Sequence, residues 1–488
     1  MSFEKCYQQN IKYPVNEWNS FVKKFPNGPN AIHRKNFFYP VYTIDPEGCQ
    51  DVDDGFSVYF RNDKLFLSIH IADPTHYFNV HRSRESLFQE IRKRGMTYYP
   101  SGYNSQPIHM LPRDVLNQSS LHTDKECDFK FTLTITTEID QTTYLPVSFS
   151  EDSLQFCVIE VRPENKYTYS QASQTDIFGD ALKISKKMRQ NRKDSIKIRN
   201  KNGLKFLSDS HIHIYQYSEK EIEIKEMIEE FAIFANMYIG EYLKHNNDIL
   251  QYRGIFRSCG ANVFVERYKN SDENIYKQLI KNNIIAEYTD DFRTHDMIAC
   301  DKMYTHFTSP IRRFSDCLCH FLLKYIYLKK IGNNIQNVAN PFTEPELKNM
   351  IKEVHIKTKQ NKKISYLDQK FRKIQAIFCL LQNMNQKQNI NDERKYIIAE
   401  CEVISYKSGF VNILITHIIS NLTYSKLNIN LSCSFWKKNN IDIEHFKAKI
   451  STIGLYSYLN DLYIPFTQSG KIKDNEVFPE IYQMVQEL

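Results

Sequence analysis

Apolar and polar residues alternate most regularly in the first third of the chain. In Leu65-Phe66-Leu67-Ser68-Ile69-His70-Ile71, the residues Leu65, Leu67, Ile69 and Ile71 share one face at a period of two, which predicts a half-buried strand. The β pattern extends over Tyr39–Phe78, and Asp128–Ile135 predicts a further strand. Helical spacing takes over downstream. Ile224, Met227, Ile228, Phe231, Ala235, Tyr238 and Tyr242 lie on one stripe, as do Phe314, Cys317, Leu318, Phe321, Leu322 and Tyr325. A long basic helix is predicted over Lys352–Leu381. After Gln388 short alternating segments return, at Ile397, Ala399, Cys401 and Val403 and again over Phe410–Leu414; their length and pattern suit a small barrel. Residues up to Arg34 are polar, Asn-rich and punctuated by Pro14, Pro26 and Pro29, which predicts an extension. The class expected is α+β, a mixed sheet with surrounding helices followed by a small β-barrel. The boundaries expected are 1–37 for the extension, 38–388 for the core and 389–488 for the barrel.

Length and composition narrow the function little. At 488 residues, 41% hydrophobic and 25% charged, the chain suits two or three packed domains. No run of 18 apolar residues marks a membrane span, and the first residues lack an apolar signal core. The 11 cysteines are scattered, without a C-x-x-C pair, so free thiols in a reducing intracellular compartment, the cytoplasm, are expected, with nucleus and organelle left open. Lys and Arg outnumber Asp and Glu by 64 to 57, a net charge of +7 that permits an anionic partner without demanding one.

Two short segments carry chemistry. In Thr43-Ile44-Asp45-Pro46-Glu47-Gly48-Cys49-Gln50-Asp51-Val52-Asp53-Asp54-Gly55, four aspartates crowd a loop marked by Pro46 and Gly48. Converging carboxylates repel one another unless solvated, protonated or bound to a cation, and hard oxygen donors suit Mg²⁺ or Mn²⁺. An EF-hand fails on spacing, because a loop begun at Asp51 puts Phe56 where the motif needs Gly and Asn62 where it needs Glu. The carboxylates alone leave a metal site and a solvated acidic turn equally open. The second segment is His306-Phe307-Thr308-Ser309-Pro310-Ile311-Arg312-Arg313-Phe314-Ser315-Asp316. Ser309 reads as an N-cap and Pro310 as the first helical residue, which places Arg312 and Arg313 in the first turn. Cations there oppose the helix dipole, so the placement makes sense if an anion docks, or if Asp316 satisfies the pair.

Together these segments resemble the ribonuclease II (RNB-domain) family of hydrolytic 3′→5′ exoribonucleases. Further stretches match in order: Ile69-His70-Ile71-Ala72-Asp73-Pro74; Arg94-Gly95-Met96-Thr97-Tyr98-Tyr99-Pro100 with Met110-Leu111-Pro112; and Ile228-Glu229-Glu230-Phe231 with Ala235-Asn236. The resemblance spans roughly Phe38 to Gln382. It implies an RNB catalytic core and Mg-dependent hydrolysis of single-stranded RNA to nucleoside 5′-monophosphates. Asp45, Asp51, Asp53 and Asp54 would hold Mg²⁺, with Mn²⁺ as an alternative, and Asp53 would matter most for chemistry. Arg312 would contact the scissile phosphate, with Ser309 beside it, and Arg313 a nearby phosphate. Tyr99 would stack on the 3′-terminal base, Tyr169 would be the second site tyrosine, and Glu229 or Glu230 would meet the terminal nucleotide. His70 and His306 read as structural.

The chain departs from the family pattern in two places. About 37 residues precede the motif-bearing region, too few for a cold-shock barrel, so a partner protein supplying that function is expected, with the chain itself a monomer. The C-terminal segment holds the place of an S1 domain and reads as a divergent S1/OB-like barrel through Tyr406-Lys407-Ser408-Gly409-Phe410-Val411. The competing function is a catalytically inactive RNB-fold RNA-binding protein; retention of all four aspartates and both arginines argues against it. The basic run from Lys183 to Arg199 suits a solvated helix or an RNA contact.

Overall fold

The computed structural model describes residues 32–78, 86–100, 105–124, 126–147, 151–192, 202–206, 212–260, 286–295, 302–331, 339–386 and the backbone of strands between 396 and 465. The elements run β1 (Lys35–Asn36), β2 (Thr43–Asp45), β3 (Asp54–Arg61), β4 (Lys64–Ala72), α1 (Ser86–Arg94), α2 (Arg113–Ser119), β5 (Asp128–Ile139), β6 (Leu154–Val161), β7 (Lys166–Thr168), α3 (Tyr169–Ala172) and α4 (Gly179–Asn191). There follow a hairpin of β8 (Asn202–Phe206) and β9 (Ile212–Gln216), then α5 (Glu219–His245), α6 (Asn247–Leu250), β10 (Phe256–Ser258), β11 (Glu287–Thr289), α7 (Phe314–Ile331) and α8 (Glu344–Gln386).

The central sheet has the order β1-β6-β5-β4-β3, antiparallel except for the β1–β6 edge. Asn62 and Asp63 close the β3–β4 hairpin with positive φ of 50° and 61°, the left-handed pair that a two-residue turn between right-twisted strands requires. One face of β4 carries Leu65, Leu67, Ile69 and Ile71 into the apolar core, as the alternation predicts. The other face is buried too. There Ser68 and His70 join a polar ladder with Thr136, Thr134 and Ser57. Residues 37–40 fold over this ladder: the Phe37 ring lies 4.5 Å from the His70 ring, and Ser57 donates to the Pro40 carbonyl. Burial drives His70 down to about 3, so it is a neutral structural residue, in line with its sequence reading.

The helices bury stripes against this sheet. A capping box of Ser218 and Glu221 starts α5 by satisfying backbone N–H groups on both sides. Its Gly240 has no room for a side chain, since a Cβ there would lie 2.3 Å from the Met303 carbonyl oxygen. That close approach lets Asn236 bind the chain running toward the arginines: its Oδ1 accepts from Phe307 N–H at 2.8 Å and its Nδ2 donates to the Tyr304 hydroxyl at 3.0 Å. The helix predicted over Lys352–Leu381 is present and longer, as α8, and ties back to α1 through a two-pronged Arg92–Glu353 pair.

The basic run of α4 pairs with α5, through Lys186–Glu223, Arg189–Glu226 and Arg192–Glu230; Lys193, Lys197 and Arg199 lie outside the described residues. After α8, β12 (Tyr396–Lys407), β13 (Phe410–Ser420), β14 (Lys426–Trp436), β15 (His445–Ser451), β16 (Gly454–Ser457) and β17 (Leu462–Pro465) form one antiparallel sheet in the order β14-β13-β12-β15-β16-β17. Among the described residues the pairing runs from β14 to β17 without joining these two strands to each other. Among the described residues no helix is long and apolar enough to cross a membrane.

Candidate active site

The acidic loop joins β2 to β3. Gly48, at φ 77°, turns it in the left-handed region, where a residue without Cβ is favoured. The strand pairing of β2 with β7 sets Asp45 opposite Thr168, one residue before Tyr169. Ser120 fixes the middle of the loop, accepting from Val52 N–H at 3.0 Å and donating to the Gln50 carbonyl at 2.7 Å. Asp53 anchors its end, its carbonyl accepting from Ala72 N–H at 2.8 Å.

The four aspartates do share one neighbourhood. Burial first, then the charges of Asp54, Asp53 and Asp51, push the Asp45 carboxyl well above the usual carboxylate range. Burial lifts Asp53 to about 7, although Arg312 and the Ile311 N–H pull it down. Asp54 rises to about 6, again from burial and against the pull of Arg312 and Arg313. On an extended strand Asp54 would point away from Asp51 and Asp53; instead residues 51–53 precede β3, and Asp51, Asp53 and Asp54 all lie near enough for their charges to act on Asp45.

Arg312 comes to this loop from 259 positions away. Its Nε donates to Asp53 Oδ2 at 2.9 Å and its Nη2 to Ser309 Oγ at 3.0 Å, while Ile311 N–H donates to Asp53 Oδ1 at 2.8 Å. Asp53 is 4% exposed but the Arg312 side chain is 45% exposed, so the guanidinium stands at the wall of the site with one edge open.

The helix expected from Pro310 begins four residues later, at Phe314. Residues 309–313 are instead a turn whose end pairs with the 95–98 segment: Thr97 N–H donates to the Arg312 carbonyl at 2.9 Å, Phe314 N–H donates to the Gly95 carbonyl at 2.9 Å, and Met96 bridges Arg313. Ser309 is therefore no N-cap. Its N–H donates to Asp316 Oδ1 at 2.8 Å, and its hydroxyl steadies Arg312. These tertiary bonds outweigh the local helix-start signal, and the arginines lie just before the first turn of α7 rather than within it. Arg313 does pair with Asp316, at 2.8 Å, whereas Arg312 does not.

Tyr99 is 41% exposed and donates its hydroxyl to Asp51 Oδ2. Tyr169 opens α3, half-buried, and burial followed by Asp45 and Asp54 pushes its hydroxyl up. Lys225 of α5 sits 5.1 Å from the centre of its ring. Of the two glutamates, Glu230 is buried in a two-pronged pair with Arg192 at 2.6 and 3.1 Å, which commits it to the fold; Glu229 is exposed. Sequence reasoning missed Ser120 and Cys49. The Cys49 thiol lies between Asp45 and Asp51, at 3.8 and 3.6 Å, and its place inside the acidic loop was the available signal.

The donor chemistry fits a hard divalent cation, since buried carboxylates that raise one another are relieved by positive charge. The carboxylates are now turned to protein donors: Asp53 to Ile311 and Arg312, Asp51 to Tyr99 and Cys49. Among the described residues no three His, Cys, Asp or Glu side chains close on a single point.

Residues 34–329, more than half of the chain, match the RNB domain family model. The exosome complex exonuclease dis3 of Schizosaccharomyces pombe is 25% identical over 338 residues, covering 57% of this chain and 33% of that protein. Ribonuclease R of Thermotoga maritima is 26% identical over 334 residues, 60% of this chain and 46% of that protein. The chain thus spans between about a third and a half of the length of these relatives. In fold it resembles Mycoplasma genitalium RNase R, solved with ribose-methylated single-stranded RNA, at a TM-score of 0.64 and 15% identity over 92% of this chain and 75% of that one. It also resembles yeast Ssd1, described as a pseudonuclease, at 0.59 and 14% over 96% and 57%. The family match runs through the aspartate loop, Tyr99, Tyr169 and the Arg312 turn alike, and on that ground the chain belongs to the RNB domain family.

Proposed function

We propose that this chain is a 3′→5′ exoribonuclease that hydrolyses single-stranded RNA to nucleoside 5′-monophosphates, with Asp45, Asp51, Asp53 and Asp54 holding Mg²⁺ or, equivalently, Mn²⁺. The observation that carries the reading is the Asp53–Arg312 contact at 2.9 Å: a guanidinium with an open edge stands beside a cluster of carboxylates that repel one another. Such a pair of opposite features suits a phosphodiester, whose oxygens need both a cation-bearing acidic site and a bidentate donor. Family membership supports RNA as the substrate.

Bound divalent cation would activate water and offset charge on the leaving oxygen. The chain's own residues do the rest. Arg312, steadied by Ser309 and Asp53, would grip the scissile phosphate through its open edge. Tyr99 would offer its ring to the terminal base, and moving its hydroxyl off Asp51 would free that carboxylate. Tyr169 and Glu229 stand as contacts to the terminal nucleotide, Glu230 being spent on Arg192. Arg313 would hold a neighbouring phosphate.

The test is decay of 5′-labelled and 3′-labelled single-stranded RNA in Mg²⁺, with an EDTA control. A ladder shortening one nucleotide at a time from the 3′ end, silent in EDTA, is expected. A second reading has its own observation: Asp53 and Asp51 are both turned to protein donors, as in a platform that binds RNA without cutting it. Binding without any loss of RNA would select that reading.

A further inference from the structure

Behind Arg313, to which the reading above gives a neighbouring phosphate, lies a basic residue, Arg257, that the reading does not use. The β10–β11 pairing sets Arg257 opposite Tyr288, and the guanidinium carbon sits 4.5 Å from the centre of the tyrosine ring. Arg257 is 4% exposed, yet among the described residues its guanidinium meets no carboxylate. Arg313 lies alongside, one Nη on Asp316 at 2.8 Å and its Nε buried without a partner among the described residues. Lys362 of α8 brings a third cation to the rim. Burial first, and then Arg313 and Arg257, keep His306 neutral, its Nδ1 sharing a 2.6 Å hydrogen bond with the Tyr288 hydroxyl. The one acid in contact, Asp316, is already bonded to Ser309 N–H, Arg313 and Ser315.

Arg257 and Arg313 therefore share a largely buried volume in which Asp316 is the one carboxylate in hydrogen-bond contact among the described residues, with the exposed Lys362 beside them and Asp54 feeling Arg313 only at longer range. A buried charge without a counter-charge is costly, and stacking on one tyrosine recovers only part of that cost. An anion would balance the site, and a guanidinium grips a phosphate by two parallel hydrogen bonds. The strand-like pairing of Arg313 with Met96 turns consecutive side chains to opposite sides, so Arg313 faces Asp316 while Arg312 faces Asp53. The anion here is thus distinct from the one at the aspartates. We propose that Arg257, with Arg313, forms a second phosphate seat, which takes a phosphodiester of the bound RNA strand other than the one being cut. The inference rests on the RNA reading above.

The test uses the whole chain in EDTA, so that nothing is cut, and single-stranded oligoribonucleotides each carrying one uncharged methylphosphonate at a different linkage. In the wild type, neutralising one particular linkage should weaken binding about tenfold. In Arg257→Met that linkage should cost nothing further, and the dependence of log K on log salt should flatten by about one phosphate contact. Arg257→Lys restores the charge and should recover part of the penalty; it also carries the test if circular dichroism shows Arg257→Met unfolded. An identical linkage profile and salt slope in wild type and variant, with wild-type RNA decay intact, would leave Arg257 a mere prop for Tyr288 and overturn the seat alone. Lost inhibition by a nucleoside 5′-monophosphate, with every linkage penalty intact, would put product there and also overturn it. A wild type that neither binds nor degrades RNA would remove both readings.

Discussion

Two buried aspartate centres lie side by side at the open end of the β3–β4 hairpin, one just before β3 and one just past β4, and they are built on opposite terms. Asp73, just past β4, is fully buried and fully answered: Arg34 donates at 2.6 Å, Lys324 of α7 at 2.8 Å and Thr75 at 2.7 Å. Burial alone would raise its carboxyl, but Lys324 and Arg34 together hold it well below the usual range. Asp53 opens the other centre, where four carboxylates lie together and Arg312 is bonded to Asp53 alone, and burial wins: Asp45 is held well above the usual range, Asp53 near 7 and Asp54 near 6. The first centre spends acid and base on each other to join the start of the core, the sheet and α7. The second leaves acid in surplus, and a surplus that the fold does not need is what a ligand-binding site requires. The same contrast recurs with the sign reversed at Arg257, where base is in surplus.

The largest effect should come from Asp53→Asn. The amide keeps the shape and can still accept the Ile311 N–H, but it removes the charge facing Arg312. RNA decay should fall by at least about 10³-fold while binding of single-stranded RNA and the melting temperature stay close to wild type. Turnover within tenfold of wild type in a label-release assay would remove Asp53 from the chemistry. Asp73→Ala should do the reverse. It leaves Lys324 and Arg34 buried and unanswered, which costs about 3–5 kcal/mol. An unfolding free energy lower by that amount in urea titration, seen as a lowered midpoint, with cutting per folded molecule preserved, is expected; an unchanged midpoint would show that Asp73 is not holding the fold.

Much of this contrast was legible in the sequence, for physical reasons that differ between residues. The strands and the long helices declare themselves by period, because one face of each is in the core. The aspartate loop declares itself by density of like charge, which no stable turn needs. The start of α7 misled, because Ser309 and Pro310 are good local helix-start residues and the deciding partners, Gly95, Thr97 and Asp53, lie more than 200 positions away. Gly240 and Asn236 look ordinary inside a helix; only the chain passing at 2.3 Å from the place of a Cβ gives them a role. Glu229 and Glu230 cannot be told apart by sequence, since what separates them is Arg192 at the end of α4.

The two centres should also answer pH in opposite directions. Asp73 has its folded pKa below the unfolded value, so its stabilisation is present above about pH 4 and is lost as pH falls through the folded value. Asp45, Asp53 and Asp54 have folded values above the unfolded ones. Without a cation, they subtract stability as pH rises from about 4 through 7, because the native state must give up protons it holds more tightly than the unfolded chain does. A divalent cation competes with those protons. Mg²⁺ should therefore raise the melting temperature by a few degrees at pH 7.5 and by clearly less at pH 5. An equal shift at both values, in scanning fluorimetry with matched ionic strength, would break the link between the raised carboxyls and cation binding.

The smallest effect expected separates the two things Tyr99 does. Its ring is 41% exposed and its hydroxyl is on Asp51, so stacking and ligand control are combined in one side chain. Removing the ring should forfeit about 1–3 kcal/mol of stacking on one base. That loss matters little for a long strand held along its length, and most for the last few nucleotides, where each contact is a large share of the total. Tyr99→Ala should thus degrade long RNA at nearly the wild-type rate and stop one or two nucleotides early. Tyr99→Phe keeps the ring and releases Asp51, so its end product should match wild type while its half-saturating Mg²⁺ concentration falls. Gel resolution of the limit products distinguishes the three proteins. An early stop shared by Ala and Phe would assign the effect to the hydroxyl, and would mean that the tyrosine acts on the acidic centre rather than on the base.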